Sequence, residues 1–184
     1  MFGNRLTNAE GTKNLLIVNV VMYAATFIAG MRGIDLNAMM GMYYIDAAEF
    51  RFWQPLSHMF MHGSLGHIFF NMFNLFTFGM ILERVWGTRR FLLFYFICGF
   101  GAALIQQSVY AITVYNDSGR FFADVSQQAF LSQYHSLVIG ASGAVVGLIV
   151  AFGLLFPNTE LFLMFIPVPV KAKYMVLIML AKRP

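Results

Sequence analysis

The stretch from Leu137 to Phe156, LVIGASGAVVGLIVAFGLLF, carries no charged side chain and is about as long as the 20 apolar residues a helix needs to cross hydrocarbon, yet it contains Ser142 within Gly140-Ala141-Ser142-Gly143. A hydroxyl inside a membrane helix is costly unless something there uses it. Read as one helix, the run places Ser142 five residues from its start, on the order of 8 Å below the membrane surface at 1.5 Å per residue. The small residues around the serine have a second meaning. Gly143 and Gly147 have the spacing that lets two membrane helices approach closely, which brings Ser142 within reach of a partner helix.

Working outward, the rest of the chain is of the same kind. It is 59% hydrophobic and 11% charged, where a soluble domain is roughly 45–50% apolar and about 25% charged, so the expectation is an integral membrane protein. Four runs qualify as spans: 14–31, 64–85, 91–115 and 137–156. A fifth apolar stretch, 161–181, is interrupted by Pro167, Pro169, Lys171 and Lys173 and reads as an interfacial piece followed by the beginning of another helix. The fold class is therefore all-α, a polytopic helix bundle with four full membrane helices and a partial fifth, in a single domain over 1–184. No repeat or linker divides it. The first run follows Lys13 but lacks an A-x-A cleavage site, and reads as a retained helix rather than a signal peptide.

Loop charges set the orientation. With the N-terminus inside, Arg5, Lys13, Arg84, Arg89, Arg90, Lys171 and Lys173 are cytoplasmic, and Arg32, Arg51 and Arg120 are outside, in line with the excess of Lys and Arg on cytoplasmic loops. The net charge of +4 is then a topology signal and not a nucleic-acid footprint. The single cysteine, Cys98, excludes an intrachain disulfide. No span has an ionisable residue near its middle, which argues against an ion or proton channel.

A second polar constellation opens the 64–85 run: His62-Gly63-Ser64-Leu65-Gly66-His67, then Asn71. His67 and Asn71 are i and i+4 and share a helix face. Both the 64–85 and 137–156 runs go inward, so this face and Ser142 lie at similar depth. An imidazole and a carboxamide level with a serine have the donors an acyl-transfer oxyanion needs. His58 and His135 lie in or near outer connections and read as interfacial, as does Trp53 at headgroup level. A zinc site from His58, His62 and His67 lacks an accompanying carboxylate or cysteine, so no metal and no cofactor are expected.

His62-x4-His67-x3-Asn71 at the start of one membrane run, with Gly140-Ala141-Ser142-Gly143 on a later one, resembles the rhomboid intramembrane serine proteases. Trp53-Gln54 in the first outer connection, where that family often has Trp-Arg, and Glu83-x-x-x-Gly87 at the inner end of the second run extend the resemblance. It implies Ser142 as nucleophile, Asn71 and His67 as oxyanion donors together with the Ser142 backbone N–H, and His62 as a hydrogen-bonding support. Gly140 and Gly143 belong to the same corner; Trp53, Glu83, Gly87 and Gly147 would be structural. It implies transmembrane protein substrates in the lipid bilayer, unwound and cut near the outer face. A bacterial inner membrane with the N-terminus cytoplasmic is the expected location. The family also pairs its serine with a histidine on a sixth helix, and no histidine follows Ser142 here. A serine without a base is a poor nucleophile, so the 184-residue chain alone is expected to be inactive and a longer form active. The alternative is a catalytically dead, rhomboid-like binder of membrane helices.

Overall fold

The computed structural model describes residues 9–121, 137–163 and 166–181. His135 and most of the second outer connection lie outside the described residues. Three helices among them are long and apolar enough to cross a membrane: α1 (Glu10–Gly30), α4 (Leu65–Trp86) and α5 (Thr88–Ser118). Two short helices, α2 (Leu36–Met40) and α3 (Gln54–Ser57), lie between α1 and α4. α4 is the most enclosed of the three spans. α1 and α5 turn Ile17, Val21, Phe27, Ile97, Leu104 and Ile105 outward, as lipid-facing helices do.

The expected fourth full span is not confirmed among the described residues. The helix of the 137–156 run, α6 (Ser142–Leu155), has only 14 residues and begins at the serine itself. Residues before it are tied up otherwise. Met42 and Val138 form an isolated antiparallel bridge, with both amide–carbonyl bonds made at 2.9 and 3.0 Å. The Gly140 N–H donates to the His58 carbonyl at 2.8 Å, and Gly140 has φ +118. Non-helical backbone inside a membrane needs protein partners because lipid offers none, and here the connection between α1 and α4 supplies them.

The 161–181 stretch departs from an all-α reading as well. β1 (Glu160–Leu163) and β2 (Ile166–Lys171) pair antiparallel, placing Glu160 opposite Lys171, and α7 (Ala172–Ala181) follows. The prolines that interrupt a helix here fall in a hairpin.

Helix packing follows the small residues. A Cβ on Gly143 would run into Ala102, and one on Gly147 into Cys98, so this glycine pair seats α6 on α5 and not on α4. Leu75, Leu82, Phe91, Tyr95, Leu148 and Phe152 fill the core between α4, α5 and α6. Midway, α4 widens into a π turn over Leu75–Gly79, where Gly79 crosses α1 at Thr12.

The end of the bundle away from Ser142 is held by Glu83. Its fully buried carboxylate accepts from the Gly11 N–H (2.8 Å), the Thr12 N–H and hydroxyl (2.7 Å each) and the Thr88 hydroxyl (2.7 Å). The first N–H groups of a helix lack partners of their own, so one carboxylate caps α1 and pins α4 and α5 to it. Gly87, at φ +80, makes the reversal between α4 and α5.

The candidate active site

Ser64 starts the site by ending the loop. Its hydroxyl accepts from the His67 N–H at 3.1 Å, a helix N-cap for α4. One turn on, the His67 Nε2 lies 3.2 Å from the Ser142 Oγ. Asn71 is buried, and its Nδ2 donates one hydrogen to the His67 carbonyl at 2.9 Å, leaving the other without a partner among the described residues. His67, Asn71 and Ser142 line one groove of about 320 Å³ between α4 and α6.

Ser142 stands at the first position of α6 rather than five residues down a helix. That position has a chemical consequence. The first intrahelical bond of α6 runs from the Val145 N–H to the Ala141 carbonyl, so the N–H groups of Ser142, Gly143 and Ala144 are free of helix partners and their dipoles converge at the serine. Gly140 is what makes the approach possible. A Cβ there would sit 2.7 Å from the His67 Nε2 and 3.2 Å from the Ser142 Oγ, and φ +118 is closed to ordinary side chains.

His62 is buried; among the described residues neither ring nitrogen makes a well-formed hydrogen bond, although the Phe60 backbone lies close enough to act on it. The His62 ring meets His67 edge to face, with centroids 5.0 Å apart, and supports that ring by packing. Burial first, and the neighbouring His67 second, lower its pKa to about 4. An unfolded histidine titrates near 6.5. Between those values the unfolded chain takes up a proton that the folded chain refuses, so the His62 contribution is intact above pH 6.5 and stability is lost as pH falls toward 4, by up to about 3 kcal/mol. Thermal unfolding in detergent across that window should therefore show a falling Tm in the wild type and a flatter profile in His62→Gln; equal slopes would rule the assignment out.

His58 is buried at the end of α3, its Nδ1 lies 3.0 Å from the Gln54 carbonyl, and burial lowers its pKa. Trp53 is exposed, as an interface residue would be, and its Nε1 reaches the Met39 carbonyl at 3.4 Å. The buried member of that dipeptide is Gln54, which accepts from the Tyr43 N–H at 3.4 Å and donates to the Glu49 carbonyl at 3.0 Å. Sequence reasoning passes over Gln107 too. From α5 it donates to the Tyr43 carbonyl at 2.7 Å and accepts from the Ile45 N–H at 2.9 Å, fastening the connection that carries Met42. A glutamine within an apolar run was the available signal. No cluster of three metal-ligating side chains occurs among the described residues.

Fold and site together define a polytopic membrane protein that presents a serine and a histidine to each other in a groove between two helices. The chain belongs to the rhomboid family: residues 49–182 match the family profile described as the Rhomboid domain. Two Arabidopsis thaliana proteins are similar to it. RHOMBOID-like protein 12, mitochondrial, is 29% identical over 164 residues, which is 85% of this chain and 46% of that protein. RHOMBOID-like protein 6, mitochondrial, is 30% identical over 96 residues, which is 52% of this chain and 24% of that protein. The chain thus spans less than half the length of either relative. Both carry mitochondrial names, and neither lends support to a bacterial inner membrane.

Proposed function

We propose that this is an intramembrane serine endopeptidase domain that acts on transmembrane-anchored proteins near the outer face of the membrane. The 3.2 Å approach of the Ser142 Oγ to the His67 Nε2 carries the reading. Ser142 attacks the scissile carbonyl. The oxyanion forms beside the free N–H groups at the start of α6, the remaining Asn71 amide hydrogen and the His67 ring. The substrate helix unwinds to reach the groove, because a helical peptide bond is shielded by its own turn.

The chemistry makes two demands on one ring. As an oxyanion donor His67 needs a hydrogen on Nε2; as the base for Ser142 it needs a lone pair there. Among the described residues it is the one imidazole in reach of the serine. With His67 committed to the oxyanion, no other described residue serves Ser142 as a base, and turnover requires one. That same observation favours a second reading, a rhomboid-like protein that binds membrane helices without cutting them.

Cleavage of a transmembrane reporter in proteoliposomes separates these, read beside fluorophosphonate labelling of the serine. The expected result is weak labelling, absent in Ser142→Ala, with little cleavage by the chain alone. Efficient cleavage lost in Ser142→Ala would keep the endopeptidase and discard the requirement for a further base. Cleavage that survives Ser142→Ala would remove the serine from the mechanism, and reporter binding with no labelling would favour the second reading.

A further inference from the structure

The polar face of α4 does not end at Asn71. Asn74 is one turn further along, so His67, Asn71 and Asn74 are i, i+4 and i+7 on one stripe, and all three line the groove beside Ser142. The opposite wall, from α6, is aliphatic: Val145, Val146 and Ile149. A carboxamide inside an apolar run is expensive when its hydrogen-bonding capacity is unused. Asn74 uses part of it, donating from Nδ2 to the Phe70 carbonyl at 2.7 Å, which fixes the side chain. Neither its Oδ1 nor its second Nδ2 hydrogen bonds to a described residue. Backbone satisfaction within α4 therefore accounts for only part of the residue.

We propose that Asn74 is a specificity-determining residue, selecting substrate segments that place a neutral hydrogen-bonding side chain, such as serine, threonine or asparagine, in this groove. The inference rests on the endopeptidase reading for what the bound segment is, but not for whether it binds. Along α4, Asn74 is about 10 Å from His67 at 1.5 Å per residue, and an extended segment covers that distance in about three residues at 3.3 Å each. The selected side chain is thus about three residues from the scissile bond, on the membrane-embedded side. A hydroxyl donates to the Asn74 Oδ1 while its carbon stem packs on Val146 and Ile149. A valine of the same shape leaves the amide unpaired.

The test uses the 184-residue protein in lipid nanodiscs and fluorescent transmembrane peptides, identical but for one threonine or valine moved along the sequence. At one or two adjacent positions the threonine peptide should bind about 5-fold more tightly, the ratio expected of one neutral hydrogen bond. Asn74→Leu should erase that ratio, and Asn74→Gln, which keeps an amide, should retain part of it. Equal binding of the two peptides at every position overturns the proposal, as does a ratio that Asn74→Leu leaves unchanged, or an absence of peptide binding. Should Asn74→Leu not fold, Asn74→Ala takes its place. Fluorophosphonate labelling of Ser142 in the same samples keeps the two readings apart, since failed labelling with an intact threonine preference would sink the enzyme and leave the groove.

Discussion

Glu83→Leu should destabilise the protein by about 3–5 kcal/mol, because it strands buried donors and does not simply delete one contact. Four hydrogen bonds converge on that carboxylate of α4 from two other helices: the N–H groups of Gly11 and Thr12, and the hydroxyls of Thr12 and Thr88. Leucine matches the volume well enough to avoid a large cavity, so the loss reports the unpaired groups. A glutamine at the same position can accept through one oxygen only and turns its two N–H hydrogens toward other donors. Glu83→Gln should therefore recover little, whereas Thr88→Val, which removes one donor together with its bond, should cost about 1 kcal/mol. Unfolding in mild detergent by a thermal or denaturant series measures all three. Amide exchange adds a spatial check: in Glu83→Leu the first turn of α1 should exchange fastest, since its N–H groups have lost their cap. Equal stability of Glu83→Leu and wild type would mean that water replaces the carboxylate at no cost, and this junction would have to be reassigned.

Gly140→Ala should reduce acylation of Ser142 by about 100-fold while leaving the helices assembled, since a misplacement of about 1 Å at a reacting centre costs that much. Two independent constraints meet at this position. The backbone has φ +118, outside the range a Cβ tolerates, and the added carbon would lie 2.7 Å from the His67 Nε2 and 3.2 Å from the Ser142 Oγ. Relief requires either a change of the turn, which swings Ser142 away, or rotation of the imidazole, which opens the 3.2 Å pair. Both outcomes lower labelling by a fluorophosphonate without touching the α5–α6 seam at Gly143 and Gly147. Thermal unfolding separates a site effect from a folding effect: the expected Tm change is small against the loss of labelling. A Gly140→Ala protein that labels at the wild-type rate would show that the turn is not what positions the serine.

Much of this site is legible in the amino-acid sequence because its residues violate the medium around them. Ser142, His67 and Asn71 stand out in apolar runs where each polar group has a cost, and helical spacing puts two of them on one face. Asn74 obeys the same rule but goes unnoticed, since a second asparagine adds nothing to a serine–histidine pattern until a groove wall is seen. The true start of α6 is not legible, because Leu137, Val138 and Ile139 are as apolar as the residues that follow and β-branched side chains suit strand and membrane helix alike. What decides between them is a partner far away in sequence, Met42, together with the positive φ of Gly140. Gly143 and Gly147 announce close packing but not with which helix. The choice of α5 comes from the small surface at Cys98 and Ala102, which no local pattern reveals.

Composition and the lengths of its apolar runs determined that the chain is a helical membrane protein, and the order of its polar residues within those runs determined its family resemblance. These properties are local, set by the cost of placing each side chain in lipid. Tertiary structure alone decided that Ser142 begins its helix, that His67 and not His62 reaches it, and that Glu83 holds three helices at the end away from Ser142. Each of these depends on backbone groups from distant segments satisfying one another where water cannot.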